Sequence, residues 1–148
     1  MLYICSDHGG FRLKSQILKH LVLKNILFED QGPLELNPSD DYPVYVDKTI
    51  SKFLENPKEN KAIVICRNGV GVSMMANKYI GTRTGVSWTP DHAKSSRKDD
   101  DTNVLALPAD YIDEKTAIEI VDTWLNTPFS KEPRYEKRLE MVEERTGK

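Results

Sequence analysis

One stretch near the middle of the chain indicates the fold: Ala62-Ile63-Val64-Ile65-Cys66-Arg67-Asn68-Gly69-Val70-Gly71. Its first five residues are apolar and rich in β-branched side chains, as expected for a strand buried on both faces of a sheet. The two glycines that follow predict a tight turn, and a helix is expected from about Val72 to Lys78. A strand, a glycine-rich turn and a helix in succession form the unit from which parallel sheets are built.

The same alternation extends from this stretch in both directions. Strands are predicted at 2–5, 26–28, 62–66, 83–87 and 103–107, and helices at 10–24, 42–54, 72–78, 89–98, 113–125 and 134–145. This order predicts an α/β, three-layer Rossmann-like fold, with a five-stranded parallel sheet, helices on both faces and an extended C-terminal helix. No repeat or second domain is evident, so residues 1–148 are expected to form a single domain.

Composition excludes several classes of protein. A chain of 148 residues, 39% of them hydrophobic, is large enough to fold without a metal or disulfides. The net charge of −2 gives no basic footprint for nucleic acid, and no apolar run approaches the roughly 20 residues that cross a bilayer. Two cysteines make no disulfide framework, and no signal peptide is recognisable. We therefore expect a cytoplasmic protein that binds neither nucleic acid nor membrane.

Polar residues follow the first and third predicted strands, where ligands of parallel sheets bind. Asp7 and His8 precede two glycines and can contact a polar ligand, although Asp7 can also simply cap the next helix. Cys66 stands beside a turn that favours its thiolate, the alternative being a buried structural cysteine. The nucleotide-binding motifs do not fit, because Met74 stands where a third glycine is needed and no P-loop lysine follows.

Charged residues in the last third of the chain allow two interpretations each. Arg134 and Arg138 lie four apart on one helix face and could bind a phosphate or carboxylate, or pair with neighbouring glutamates on a solvated helix. The consecutive carboxylates Asp99, Asp100 and Asp101 rarely converge on one ion, so we expect a solvated helix end and no metal site there.

Taken together, these segments resemble the ribose-5-phosphate isomerase B and galactose-6-phosphate isomerase family of sugar-phosphate isomerases. The resemblance covers nearly the whole chain and is carried, in order, by residues 5–11, 41–43, 63–71, 76–78, 96–97, 101–106 and 120–125, with Arg134 and Arg138. It implies an aldose–ketose isomerase of the pentose phosphate pathway type that needs no metal or organic cofactor. It also implies a homodimer or tetramer, with the C-terminal helix at about 131–146 in the dimer interface and the site shared between subunits.

The resemblance implies a role for each site residue. Cys66 would remove a proton beside the carbonyl carbon, through an enediolate whose oxygens are held by backbone N–H groups of the following turn. Asp99 would take part in ring opening, and Arg134 and Arg138 would bind the phosphate. The full set of implied substrate contacts is Asp7, His8, Arg67, Asn68, Gly69, Val70, Gly71, Asp100, Arg134 and Arg138, beside the catalytic residues Cys66 and Asp99.

This sequence departs from the family pattern within the site. Arg67-Asn68 stands where the family carries Gly-Thr, Asp99-Asp100 stands where it carries His-Asn, and Asp110 stands where it carries arginine. Because like charges raise the pKa of a carboxyl, we expect residues 99–101 to share a proton, so that Asp99 can act as the acid. Activity on ribose 5-phosphate is expected to be weak. The alternatives are a sugar-phosphate-binding protein without turnover and a nucleotide-binding module.

Overall fold

Five parallel strands form one sheet in the order β2-β1-β3-β5-β4, in a computed structural model that describes residues 1–146. The strands are β1 Leu2–Ser6, β2 Phe28–Asp30, β3 Lys61–Cys66, β4 Thr84–Val86 and β5 Val104–Pro108. The helices are α1 Phe11–Leu23, α2 Tyr42–Phe53, α3 Val70–Ala76, α4 Pro90–Asp100, α5 Glu114–Asn126 and α6 Pro133–Thr146. This architecture confirms the predicted α/β fold with helices on both faces of the sheet.

The core lies in two layers, one on each face of the sheet, because successive side chains of a strand point to opposite faces. Ile63 and Ile65 of β3 pack into the layer that includes residues of α1 and α5. Ala62, Val64 and Cys66 pack into the layer that includes residues of α2 and α3. Cys66 therefore belongs to the α2/α3 side of the sheet, at the carboxyl end of the central strand.

Strand β2 lies two residues later than the sequence predicts. The N–H of Ile26 donates to the carbonyl of Leu21 at 3.0 Å, so residue 26 is still part of the C-terminal cap that follows α1. Pairing with β1 begins only at Phe28, opposite Leu2, and continues to Asp30, opposite Ile4. Local helix capping thus determines where the strand can begin.

The last helix, α6, begins at Pro133, close to the predicted start, and packs against α4. Residues 147 and 148 lie outside the described part of the chain. An ion pair joins Glu143 of α6 to Arg83, just before β4. Within residues 1–146, no helix is both long and apolar enough to span a bilayer.

Candidate active site

A cleft of about 310 Å³ lies beyond the carboxyl ends of β1 and β3. This edge is where ligands of open parallel sheets bind. Its lining consists of Asp7, His8, Tyr42, Cys66, Arg67, Asn68, Val70 and Gly71. Seven of these eight residues are among those singled out from the sequence, so the structure brings this part of the predicted site together.

The turn after β3 orients the thiol of Cys66. Gly69 has a φ of +74°, a left-handed conformation that favours glycine, and α3 begins at the next residue. Cys66 is only 5% exposed, and its Sγ lies 3.8 Å from Oδ1 of Asn68. The same oxygen accepts the N–H of Val70 at 3.0 Å. Asn68 therefore links the thiol to the first residue of α3.

Two backbone donors of this turn have no partner in the part of the chain that the structure describes. The N–H groups of Asn68 and Gly69 make no hydrogen bond within residues 1–146, whereas the neighbouring N–H of Val70 is occupied by the Asn68 side chain. Unpaired N–H groups beside a cleft are available to an anionic oxygen. The turn can thus bind negative charge next to the Cys66 thiol.

Hydrogen bonds also fix Asp7 and His8, which follow β1 and line the same cleft. Oδ1 of Asp7 accepts the N–H of Gly10 at 3.1 Å, so Asp7 caps the short 3₁₀ turn His8–Gly10 that leads into α1, and not α1 itself as predicted. Oδ1 of Asp40 accepts both the backbone N–H of His8, at 2.9 Å, and its ring Nδ1, at 2.7 Å. Because an ionised carboxylate only accepts, Nδ1 carries the hydrogen and Nε2 is left for a ligand.

Asp40 was missed because it lies just before the helix predicted at 42–54, and Tyr42, the first residue of that helix, was given no role in the site. The Asp40 side chain is only 4% exposed. The pKa of Tyr45 is raised, mainly because Tyr45 loses solvent and secondly because the charge of Asp40 is near. The ring of Tyr42 lies against Gly71, where a Cβ would come within 2.7 Å of Tyr42 Cζ. Gly71 is therefore required for close packing of Tyr42, and no signal in a single sequence shows this contact.

Asp99 and Asp100 lie far from the cleft, in the last turn of α4. This helix begins after the carboxyl end of β4 and ends before the amino end of β5, so it crosses the sheet over about 16 Å. Neither residue lines the cleft. Oδ2 of Asp99 accepts a hydrogen bond from Ser95 Oγ at 3.2 Å. Partial burial and then the charge of Asp99 raise the pKa of Asp100, against the opposing effect of Arg138 and His92.

The prediction that the carboxylates of residues 99–101 form one cluster is wrong. Asp101 turns away at a φ of +44° and ends α4. Its Oδ1 lies 2.8 Å from Nη1 of Arg97, and its Oδ2 lies 2.9 Å from Nη2 of Arg83. The left-handed residue thus points its carboxylate at two arginines, and the three carboxylates do not form one cluster.

Arg134 and Arg138 are exposed on α6, also away from the cleft. Neither forms a salt bridge with another of residues 1–146, so pairing with neighbouring glutamates is not observed. The guanidinium of Arg138 lies 5.9 Å from the ring centre of Tyr135 and is close enough to Asp100 to lower its pKa. The candidate residues therefore form two groups. One lies at the carboxyl ends of the strands, and the other lies toward their amino ends, near the end of α4.

Comparison with known proteins adds independent information. The family model described as ribose/galactose isomerase matches residues 2–142. A probable ribose-5-phosphate isomerase B from Mycoplasma pneumoniae is 39% identical over 138 residues, which cover 93% of this chain and 90% of that protein. Ribose-5-phosphate isomerase B from Escherichia coli is 35% identical over 136 residues, covering 92% and 89%.

A solved structure is similar over almost its entire length. Ribose-5-phosphate isomerase B from Mycoplasma genitalium, with bound ribulose 5-phosphate, matches with a TM-score of 0.95 and 32% identity, covering 99% of this chain and 96% of that one. The counterpart from Thermotoga maritima matches with a TM-score of 0.91 and 37% identity, covering 97% of each chain.

The parallel sheet and these matches define the chain as a sugar-phosphate isomerase, an intramolecular oxidoreductase that interconverts aldose and ketose. Within that class, it belongs to the ribose/galactose isomerase family. Both predictions made from the sequence motifs, the family and the enzyme class, are confirmed.

Proposed function

We propose that the protein interconverts ribose 5-phosphate and ribulose 5-phosphate, or a closely related pentose or hexose phosphate, with Cys66 as the base. The observation that carries this proposal is the Cys66 thiol beside the unpaired N–H groups of Asn68 and Gly69. In the proposed reaction, the Cys66 thiolate takes the proton from C2 of the open aldose. The electron pair of that C–H bond forms the C1–C2 double bond, and the carbonyl oxygen becomes an oxyanion.

Stabilisation of that oxyanion is the main contribution of the turn. Preorganised donors aimed at developing charge often provide most of the rate enhancement in such reactions, and backbone N–H groups need no reorganisation. Return of the proton from Cys66 to C1, with transfer of the O2 hydroxyl proton to O1, gives the ketose. Asp7 and His8 line the same cleft and would contact the sugar, with Nε2 of His8 free to do so.

The second group of residues would act on the cleft of a second copy of the chain. None of the four residues in this group lines the cleft of its own chain. Asp99 and Asp100 lie in the last turn of α4, and Arg134 and Arg138 lie on α6, which packs against α4. In a two-fold symmetric dimer, each chain can supply its α4–α6 end to the cleft of the other. Asp99 would then assist ring opening, and the two arginines would bind the phosphate.

The proposed setting is the cytoplasm, where both cysteines would stay reduced. Cys5 and Cys66 are free and buried, in keeping with a reducing compartment.

A panel of pentose and hexose phosphates in deuterated water tests this proposal. NMR should detect deuterium at C2 of the preferred sugar phosphate, since the base exchanges its proton with solvent during the enediolate lifetime. Exchange identifies the substrate even where net turnover is slow. Absence of exchange with every sugar phosphate of the panel would contradict the proposed reaction.

A further inference from the structure

Arg67 stands at the boundary between two cavities at the carboxyl edge of the sheet. It lines the cleft that contains Cys66, while Asp110 lines a neighbouring cavity of about 420 Å³. Nη1 of Arg67 lies 3.6 Å from Oδ2 of Asp110, and the two side chains are 61% and 46% exposed. This solvent-exposed ion pair has no part in the proton transfer described above.

Arg67 supplies the permanent positive charge of the cleft lining. Among the eight lining residues it is the only lysine or arginine. Asp7 carries the opposite charge, and the ring of His8 is already held by Asp40. A phosphate group that enters the cleft therefore meets one permanent cation from this chain. A guanidinium can bind phosphate oxygens through two parallel N–H bonds.

The contact with Asp110 is of the kind that exchanges easily. A distance of 3.6 Å exceeds the 2.7–2.9 Å typical of charge-assisted hydrogen bonds, and exposed ion pairs contribute little to stability. The pair formed by Arg97 and Asp101 is different, because its atoms lie 2.8 Å apart and the Arg97 side chain is only 7% exposed. Asp110 thus keeps the Arg67 guanidinium nearby without locking it.

The backbone holds the two partners beside each other whichever ligand the guanidinium binds. The N–H of Asp110 donates to the carbonyl of Arg67 at 2.9 Å, and the N–H of Ala109 donates to the carbonyl of Cys66, also at 2.9 Å. The stem of Arg67 lies over Gly9, where a Cβ would come within 2.5 Å of its Cγ. The stem is therefore positioned by packing, and only the charged end needs to change partner.

We propose that Arg67 is the cleft's own contact for the anionic group of the substrate, and that Asp110 is a positioning residue whose carboxylate this group displaces. The proposal rests on the proposed function, in that the anionic group is the phosphate of a sugar phosphate. A sugar without phosphate offers nothing to replace the carboxylate, so the pair also discriminates against unphosphorylated sugars.

Calorimetric titration with inorganic phosphate tests this proposal without any turnover. Arg67→Gln should weaken phosphate binding by about 10-fold, since a charge-assisted contact is lost, and Arg67→Lys should restore part of it. Asp110→Asn should tighten binding by about threefold, because the competing carboxylate is gone. Glu119→Gln, which removes a negative charge from an exposed position on α5, is the matched control and should leave binding as it is.

The double variant separates displacement from simple charge repulsion. If Asp110 acts by occupying Arg67, the gain from Asp110→Asn should largely disappear in the Arg67→Gln background. An equal gain in both backgrounds would mean that Asp110 only repels phosphate, and would overturn the proposal. Unchanged phosphate binding in Arg67→Gln would also overturn it. Either result leaves the isomerase reaction itself to be judged by deuterium exchange at C2.

Discussion

The cleft at the carboxyl edge and the α4–α6 end of the molecule hold the two groups of candidate site residues, and they are built differently. In the cleft, the Cys66 thiol and the His8 ring are fixed by hydrogen bonds to Asn68 and Asp40. At the α4–α6 end, Arg134 and Arg138 project from an exposed helix without salt bridges within residues 1–146. The cleft is therefore preorganised within one chain, whereas the α4–α6 end is not.

The two regions are suited to different steps of the proposed reaction. Proton transfer depends on donors held in place before the substrate arrives, which a buried turn on a central strand provides. The proposed phosphate binding and ring opening would use side chains that the ligand or a second chain can order. Variants of Cys66 should thus change the chemical step, and variants at the α4–α6 end should change binding, substrate choice and complementation between chains. Arg67 is the exception within the cleft, because its exposed guanidinium is proposed to bind the phosphate.

The largest effect is expected at the thiol of the cleft. Cys66→Ala should lower deuterium exchange at C2 by about 10²- to 10⁴-fold, the usual contribution of a positioned base, while sugar-phosphate binding changes only a few-fold. Cys5→Ala is the matched control, because burial raises the pKa of Cys5 to about 12 and keeps that thiol inert. Exchange that survives in Cys66→Ala would remove this residue from the mechanism.

Mixing two inactive variants should show whether the two regions act across a dimer. In mixed dimers of Cys66→Ala with Arg138→Ala chains, one of the two sites would be intact, so about a quarter of the wild-type activity should return on random pairing. Cys66→Ala mixed with Asn68→Ala is the control, because both changes affect the same region and no intact site forms. A protein that sediments as a monomer at micromolar concentration would contradict the shared site.

Asp101 should contribute more to stability than Asp99, although both lie at the end of α4. Asp101→Asn should lower the free energy of unfolding by about 2 kcal/mol, since it removes the carboxylate that Arg97 and Arg83 share and leaves the buried Arg97 without an ion-pair partner among residues 1–146. Asparagine tolerates the left-handed backbone, so the loss reports the charge. Asp99→Asn should change stability by less than about 0.5 kcal/mol. Equal destabilisation of both variants in urea titrations would count against this assignment.

The sequence predicted the cleft better than the α4–α6 end, for a physical reason. A buried strand followed by a glycine-rich turn leaves little choice of where Cys66 or Gly69 lies, because the backbone itself defines the geometry. The direction of Asp101 depends on its own left-handed backbone and on Arg83, which lies 18 residues earlier in the chain, and local pattern reveals neither. Asp40 reaches His8 across 32 residues of chain, a contact that no periodicity predicts.

Preference among sugar phosphates should respond to the α4–α6 end and not to Cys66. Asp99→His together with Asp100→Asn should raise activity on cyclic ribose 5-phosphate by about 10-fold, because a group that titrates near neutral pH moves protons better than a carboxylate. The pair Asp99 and Asp100 in the wild type should give weak activity on this sugar. Strong wild-type turnover, with no gain in the double variant, would show that these positions do not set the substrate.

The smallest expected effect concerns the charge of Asp100 in the isolated chain. Partial burial and the neighbouring Asp99 raise its folded-state pKa above the ordinary value of 3.8. The folded protein therefore holds this proton more tightly than the unfolded chain does, and the ionised carboxyl destabilises the fold as the pH rises through the folded pKa.

Asp100→Asn should be more stable than the wild type at pH 7, by no more than about 0.5 kcal/mol because solvent screens the group. This advantage should shrink as the pH falls through the folded-state pKa and disappear well below 3.8, where the carboxyl is protonated in both states. Urea titrations at several pH values, with Glu119→Gln as the control, measure it. A variant less stable than the wild type at pH 7 would instead mean that attraction to Arg138 outweighs the burial of Asp100.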